Sequence, residues 1–299
     1  MSAEERRNVC QFEVHETAES VRVGNRVDKR NPHGSLRQRM KSSARLGAVL
    51  FFCAIGFFGI QLFAYASQVV HPLLGPPWIP VGRFSAGITG FVLLTACTLA
   101  ATKRHTAWVG VLLAAVFLLR ATLTYIPLLA KNPRSGGIWT VFFELLAMGA
   151  ASLFLISVSN FRPPGMQART VRSAASAGPF LFALSLAVFG IQHFVYGPYI
   201  ATLVPSWIPL RLFWTYFVGA AFEASAFALF LEKNTRLATT LLGIMFFSWV
   251  LIVHAPRVAA ALQNGNEWTS GFVALAMSGA ALLFTELKPK ERSPLALAM

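Results

Sequence analysis

Long apolar runs separated by short polar segments make up most of the chain from Leu46 to Leu287. A helix needs about 20 apolar residues to cross the hydrocarbon core of a bilayer, and each run is close to that length. Backbone groups in lipid must find partners within their own element, so the runs predict helices. The alternating segments of about ten residues that mark a membrane barrel are missing. The pattern therefore predicts eight transmembrane helices, at residues 46–66, 84–101, 107–126, 139–158, 180–196, 212–231, 237–254 and 269–287.

The apolar runs form two similar halves. The segment F-G-I-Q-L-F-A-Y at 58–65 recurs as F-G-I-Q-H-F-V-Y at 189–196, an offset of 131, and W-I-P at 78–80 recurs at 207–209, an offset of 129. The smaller offset also aligns Gly90 with Gly219, Pro127 with Pro256, Trp139 with Trp268, and Leu146-Ala147-Met148 with Leu275-Ala276-Met277. Each copy has four spans, an even number, so the chain enters both copies from the same side of the membrane and the copies have the same orientation. The sequence therefore predicts an all-α membrane protein of two parallel four-helix repeats, whose interface is either a binding site or plain packing.

Polar segments divide the chain further. The first 45 residues are polar and mixed in charge, with no apolar stretch near the start, so we expect a retained first helix behind a disordered tail rather than a cleavable signal peptide. The first repeat is predicted at 46–159, a linker rich in small and polar residues at 160–178, the second repeat at 179–287, and a short tail at 288–299.

The basic residues lie unevenly between the two sides of the predicted bundle. The net charge is +14, and 20 of the 26 lysines and arginines fall in the N-terminal tail, the linker, the C-terminal tail and the connections after the second and sixth spans. Five fall on the other side, and Arg120 lies within a span. Basic residues accumulate in cytoplasmic loops, so both termini are predicted in the cytoplasm, and nucleic-acid binding is not expected.

Arg120 and Glu144 are ionisable residues inside predicted spans, which makes them candidates for function. At about 1.5 Å of rise per residue, Arg120 is roughly 10 Å from the outer end of the third helix and Glu144 roughly 7–8 Å from that of the fourth. The two are predicted to pair, either as a structural contact between these helices or as a charge site for a substrate or proton. The second repeat has Trp249 and Val273 in their place.

Glu223 is the deepest charged candidate. It follows Arg211 by twelve residues, or roughly 18 Å along a helix, which is near the middle of the bilayer. A protonatable acid at this depth fits proton or ligand coupling. It fits equally well a neutral acid that is hydrogen-bonded across a helix interface.

His193 and His254 lie near the outer ends of the fifth and seventh spans. With His71 they are potential imidazole ligands for haem, because two histidines on separate helices can bind haem axially. The first repeat has Leu62 and Tyr125 in place of His193 and His254, and the spacing matches no motif. Interfacial polar roles are the alternative, and no metal site is predicted. Cys10, Cys53 and Cys97 form no C-x-x-C pair.

The repeated W-I-P segments lie at predicted outer boundaries of the membrane. Trp207 and Trp78 are typical of an interfacial tryptophan belt. Alternatively, W-I-P caps an outward pocket between helices, with Arg211 beside it. Such a pocket would suit an apolar ligand such as a quinone or a lipid.

The segment from Trp207 to Leu231 resembles the DoxX-like family of bacterial membrane proteins. Members are typically four-helix units with a glycine and a glutamate in the second helix, and Gly219 and Glu223 match that pattern. In the first repeat W-I-P, Arg83 and Gly90 match, and Leu94 replaces the glutamate. The resemblance implies a cytoplasmic-membrane location. For some relatives it implies a link to thiosulfate:quinone oxidoreductase or to oxidative-stress complexes.

Three functions are compatible with these features. The first is an accessory membrane subunit that binds a small apolar ligand or a partner membrane or redox protein. The second is a quinone-linked oxidoreductase subunit with Glu223 as proton carrier. The third is a small-solute transporter with Arg120, Glu144 and Glu223 along the cleft between the repeats. No Walker loop, G-x-S-x-G elbow, H-E-x-x-H helix or dinucleotide fingerprint is present, and no cofactor follows from the residues themselves.

Overall fold

The computed structural model describes residues 32–64, 82–102, 106–158 and 167–287. These residues are helical, with no strand among them. The chain divides at Met40 into two units, and the bundle described below belongs to the second, Lys41–Met299, in which the first helix takes part from Lys41 onward. Its elements are α1 (Pro32–Ala64), α2 (Gly82–Ala101), α3 (Thr106–Lys131), α4 (Gly136–Val158), α5 (Ala168–Val195), α6 (Gly197–Leu203), α7 (Arg211–Phe230), α8 (Thr235–Ala260) and α9 (Gly265–Leu283, with a final 3₁₀ turn to Glu286).

Seven helices in the described part of the chain are long and apolar enough to cross a membrane. They are α1, α3, α4, α5, α7, α8 and α9, while the apolar part of α2, Ser85–Ala101, is shorter. The prediction of a helical, multi-pass membrane protein is confirmed, and within the described residues each predicted span overlaps a helix. That α2 crosses the membrane as an eighth span stays a prediction. Helices satisfy their own backbone groups, so these apolar sequences can sit in lipid without exposing unpaired amides.

The helix bounds differ from the predicted spans where polar residues continue a helix beyond the apolar run. α5 begins at Ala168, inside the predicted linker, because the alanine-rich segment 168–178 favours helix although its arginines do not suit lipid. Several predictions fall outside the described residues: the tail up to residue 31, His71, Trp78 with its W-I-P, the rest of the linker, and residues 288–299.

Proline explains an irregularity shared by α3 and α8. Each contains a π-helical turn, Ala121–Tyr125 in α3 and Val250–His254 in α8, that ends two residues before a proline. Pro127 and Pro256 have no N–H to donate, and their rings would clash with the carbonyl four residues earlier in a regular helix. The wider turn accommodates both prolines without ending the helix.

Eight helices close into a ring. Neighbours around it are α1–α2–α3–α4–α5–α7–α8–α9, and α4 also packs against α9 across the middle. α1 returns to α9 at a pair of glycines, Gly47 and Gly279, and meets α2 at Gly59 and Gly90. Small residues let helix backbones approach closely, which is how helices associate in lipid, where no hydrophobic force draws them together.

Several contacts recur at the offsets seen in the sequence. Gln61 Nε2 donates to Gly265 O at 2.8 Å, and Gln192 Nε2 donates to Gly136 O at 3.0 Å. The indole Nε1 of Trp139 donates to Pro133 O at 2.8 Å, and that of Trp268 donates to Leu262 O at 2.9 Å. α2, α3 and α4 also begin 129 residues before α7, α8 and α9.

Candidate functional site

A cavity of about 710 Å³ lies at one end of the bundle, which we call the cavity end. α4, α7 and α9 begin at this end, α5 and α8 finish there, and α6 also lines the cavity. Small-molecule sites typically have volumes of about 300–1,000 Å³, so the cavity is large enough for one ligand. At the opposite end the small-residue segments 147–152 of α4 and 276–284 of α9 are buried, so the bundle is tightly packed there.

Aromatic rings make up much of the cavity wall. The ring of Phe222 lies at the centre of a cluster. Its centroid is 6.1 Å from that of Phe189, 5.3 Å from that of Phe246 and 5.1 Å from that of the His193 imidazole. Trp214 and Trp249 add two indoles to the lining. The cluster joins α5, α7 and α8, so the wall is held by the same packing that closes the ring.

The π-helical turn of α8 selects which of its residues face the cavity. Trp249 directly precedes the turn, His254 ends it and Arg257 follows, and all three line the cavity. Such turns are frequent at functional sites because the extra residue redirects the side chains around it. The proline that requires the turn thus also determines the polar lining.

Glu144 contributes a carboxyl group to the lining. It lies eight residues after the start of α4, or about 12 Å along the helix from the cavity end. The side chain is half-buried, and among the described residues it makes no hydrogen bond and no ion pair. A carboxyl group without a partner at this depth is available to a ligand, because burying it unsatisfied is otherwise costly.

The predicted pair of Arg120 with Glu144 is not formed. The ion pair between described residues joins Arg257 and Glu267 instead. α3 meets α4 where Leu118 contacts Gly149. Glu144 precedes Gly149 by five residues, which turns it about 140° around the helix from this contact. The similar depths inferred from the sequence were not enough, because Glu144 lies in the cavity lining and not at the contact between Leu118 and Gly149.

His193 also lines the cavity, and its ring is held in one orientation. Its Nδ1 is 2.7 Å from the carbonyl oxygen of Phe189. A carbonyl only accepts, so Nδ1 carries the hydrogen, and Nε2 of the neutral ring is an acceptor. The backbone of α5 thereby gives the cavity a second acceptor beside Glu144.

His254 has a buried Nδ1 without a hydrogen-bond partner among the described residues. Its side chain lies against α9 near Gly271, and the ring lines the cavity. The described residues contain no group of three or more His, Cys, Asp or Glu side chains placed to hold a metal ion. The haem hypothesis remains a prediction.

The rim carries an ion pair that the sequence analysis did not identify. Arg257 Nη2 lies 2.9 Å from Glu267 Oε1, across the turn that joins α8 to α9. The two residues are ten apart in the sequence and flank that short turn, so their opposite charges and close spacing could have predicted the pair. The pair places a neutralised guanidinium at the edge of the cavity, because only Arg257 of the two lines it.

Four predicted site residues lie outside the cavity lining: Arg120, Glu223, Arg211 and Trp207. Glu223 packs against Gly190 of α5, where the missing side chain leaves room for the carboxyl group. The Trp207 indole is 66% exposed whereas Ile208 beside it is buried, so this tryptophan does not cap the cavity. Arg120 lies directly before the π-helical turn of α3.

Comparison with protein-family models, curated proteins and solved structures gives no match to this chain. The resemblance to the DoxX-like family therefore stays a prediction.

Proposed function

We propose that this protein is a DoxX-like accessory membrane protein that binds a small, largely apolar ligand in the cavity end of its bundle. The observation that carries the proposal is a cavity of about 710 Å³ with aromatic walls and the Glu144 carboxyl group, which has no hydrogen-bond or ion-pair partner among the described residues. Ligand sites are typically apolar cavities with a few polar groups that fix orientation, and this cavity has that composition.

The architecture that supports this cavity is two parallel four-helix repeats. The shared offsets of the helix bounds, the π-helical turns and the Gln61 and Gln192 hydrogen bonds all support the arrangement. In it, the first helix of each repeat packs against the last helix of the other. The cavity then lies between the second repeat and α4 of the first, so both copies are needed to form it.

We place the protein in a bacterial cytoplasmic membrane with both termini inside. The excess of basic residues in the tails and in the connections opposite the cavity end supports this orientation. The cavity then opens toward the outside of the membrane. Binding is favoured over transport because the opposite half of α4 and α9 is closely packed.

A quinone-linked membrane subunit is the second candidate. One cavity holds two groups that can accept protons, the Glu144 carboxyl and Nε2 of His193. A bound quinol that passes two electrons to a partner redox protein must also release two protons, and these two groups can accept them. Glu223, the proton carrier suggested by the sequence, lies outside the lining.

Native mass spectrometry of the protein in mild detergent, with extraction and identification of bound small molecules, tests both candidates. The variant Ser270→Phe adds a phenyl ring to the cavity lining without removing a contact between helices, because the Ser270 hydroxyl donates to Asn266 O of its own helix. Ser248→Phe is the matched control, since Ser248 donates to Ile244 O in the same way and is not in the lining.

We expect a ligand on the wild type and on Ser248→Phe, and its loss from Ser270→Phe. A quinone mass would favour the second candidate. A wild-type protein that carries no small molecule, or equal retention by the two variants, contradicts a ligand site in this cavity.

A further inference from the structure

We infer that the ligand of the cavity is a lipophilic cation whose charge is balanced by the carboxylate of Glu144. The inference rests on the proposed function, since it assigns a chemical class to the ligand of the same cavity. Three features of the lining support it: its charges, its aromatic rings and its hydrogen-bond acceptors.

The charges of the lining favour a cation. Glu144 has no partner among the described residues and lies within the deeper part of the cavity. Arg257 is at the rim and is already paired with Glu267 at 2.9 Å, so its charge is largely cancelled. The formal charge that remains is the carboxylate of Glu144. In lipid, an ionisable group of this kind commonly faces a ligand or pathway, because exposure to hydrocarbon is too costly.

Aromatic rings at the same depth provide a surface for a cation. Trp249 lies eleven residues before the end of α8 and Phe222 eleven residues after the start of α7. At about 1.5 Å per residue both are about 16 Å from the cavity end, close to the depth of Glu144. Aromatic faces attract cations through their quadrupole, most strongly for tryptophan and in sites shielded from water.

The hydrogen bonds of Gln192 and His193 also favour a cation. The Gln192 side chain is occupied by Gly136 O and the Thr140 hydroxyl, and Nδ1 of His193 is occupied by Phe189 O. What the neutral His193 ring leaves free is Nε2, an acceptor. A ligand that brings positive charge or N–H groups, such as a hydrophobic amine, satisfies both this nitrogen and the carboxylate.

A pair of ions of equal size and opposite charge tests the inference. Tetraphenylphosphonium and tetraphenylborate differ in charge and have nearly the same shape. Their binding to the purified protein is followed by quenching of tryptophan fluorescence, because Trp214 and Trp249 line the cavity. We expect the phosphonium to bind saturably and more tightly than the borate by about tenfold or more, the range of a charge-assisted contact.

Glu144→Gln keeps the side-chain shape and removes the charge. We expect it to weaken phosphonium binding by about tenfold and to tighten borate binding, because the repulsion between the carboxylate and the anion is removed. Glu223→Gln is the matched control, since Glu223 is a carboxyl residue within a neighbouring span that is not in the lining, and it should change neither. If Glu144→Gln is poorly folded, Glu144→Asp keeps the charge and should keep the preference for the cation.

The possible failures are distinguishable. If both ions bind equally and Ser270→Phe abolishes both, the cavity is a ligand site and the cation assignment is wrong. If Glu144→Gln leaves phosphonium affinity unchanged, or Glu223→Gln lowers it as much, Glu144 is not the counter-charge. If Ser270→Phe leaves binding of both ions intact, the cavity does not bind them. Both the proposed ligand site and the assignment of a cation are then wrong.

Discussion

Replacing Gly279 by alanine tests how the ring closes between α1 and α9. A Cβ atom at residue 279 would lie 2.7 Å from Gly47 O and 2.9 Å from the Cα of Phe51, and it would also collide with the backbone nitrogen of Phe51. All three atoms belong to the backbone of α1, so no side chain can rotate away. The two helices must therefore move apart.

The cost follows from what this separation disturbs. The Phe57 and Phe272 rings stack with centroids 3.6 Å apart, and Gln61 donates to Thr269 Oγ1 at 2.7 Å, both across the same interface. Overpacking of this kind costs about 1–3 kcal/mol. The higher helix propensity of alanine offsets at most about 1 kcal/mol of this destabilisation. We expect a net loss of about 1–2 kcal/mol in the free energy of unfolding.

Gly56→Ala in α1 is the matched control. The nearest atom to a Cβ at residue 56 is Cys97 Sγ at 3.6 Å, an ordinary contact, so this variant should be as stable as the wild type or slightly more so. Thermal unfolding in mild detergent, followed by tryptophan fluorescence, measures both. The packing argument is refuted if Gly279→Ala melts at or above the temperature of Gly56→Ala.

Three further predictions concern the hydrogen bonds, the rim and the orientation. Gln61→Leu and Gln192→Leu should each lower the free energy of unfolding by about 1 kcal/mol, since each removes a hydrogen bond between helices while the Thr269 or Thr140 hydroxyl still donates to the same carbonyl. Equal stability of either variant and the wild type in the same melts would contradict this. Arg257→Gln should tighten tetraphenylphosphonium binding a few-fold and weaken tetraphenylborate binding, because it leaves the Glu267 carboxylate at the rim unneutralised. A fluorescence titration that shows no change in either affinity would count against a charged rim. In a variant without native cysteines, Thr202→Cys at the cavity end should react with an impermeant maleimide on intact cells, whereas Lys233→Cys should need permeabilised cells, and the reverse pattern would invert the topology.

Local features were predictable because they follow from short stretches of sequence. The apolar runs located the membrane helices, since their length and composition alone make them suited to lipid. Pro127 and Pro256 were recognised as repeated residues, and each follows a π-helical turn. Trp139 and Trp268 were matched in the same way, and each indole donates to a carbonyl of the preceding turn.

The site was only partly predictable. Glu144, His193 and His254 were identified as ionisable or polar residues within spans, and all three line the cavity. Arg120 and Glu223 met the same criterion and do not line it. Charge and depth were the same kind of evidence for all five, and neither quantity says which way a side chain faces.

What the sequence determined by itself is the position of each residue along its own helix axis, because the rise per residue of a helix is constant. Only the tertiary structure decided the rotation of each helix and the identity of its neighbours. Those depend on which small-residue faces meet, as Gly149 meets Leu118 and Gly279 meets Gly47. As a result Glu144, the predicted partner of Arg120, lies in the cavity lining and makes no ion pair with another described residue.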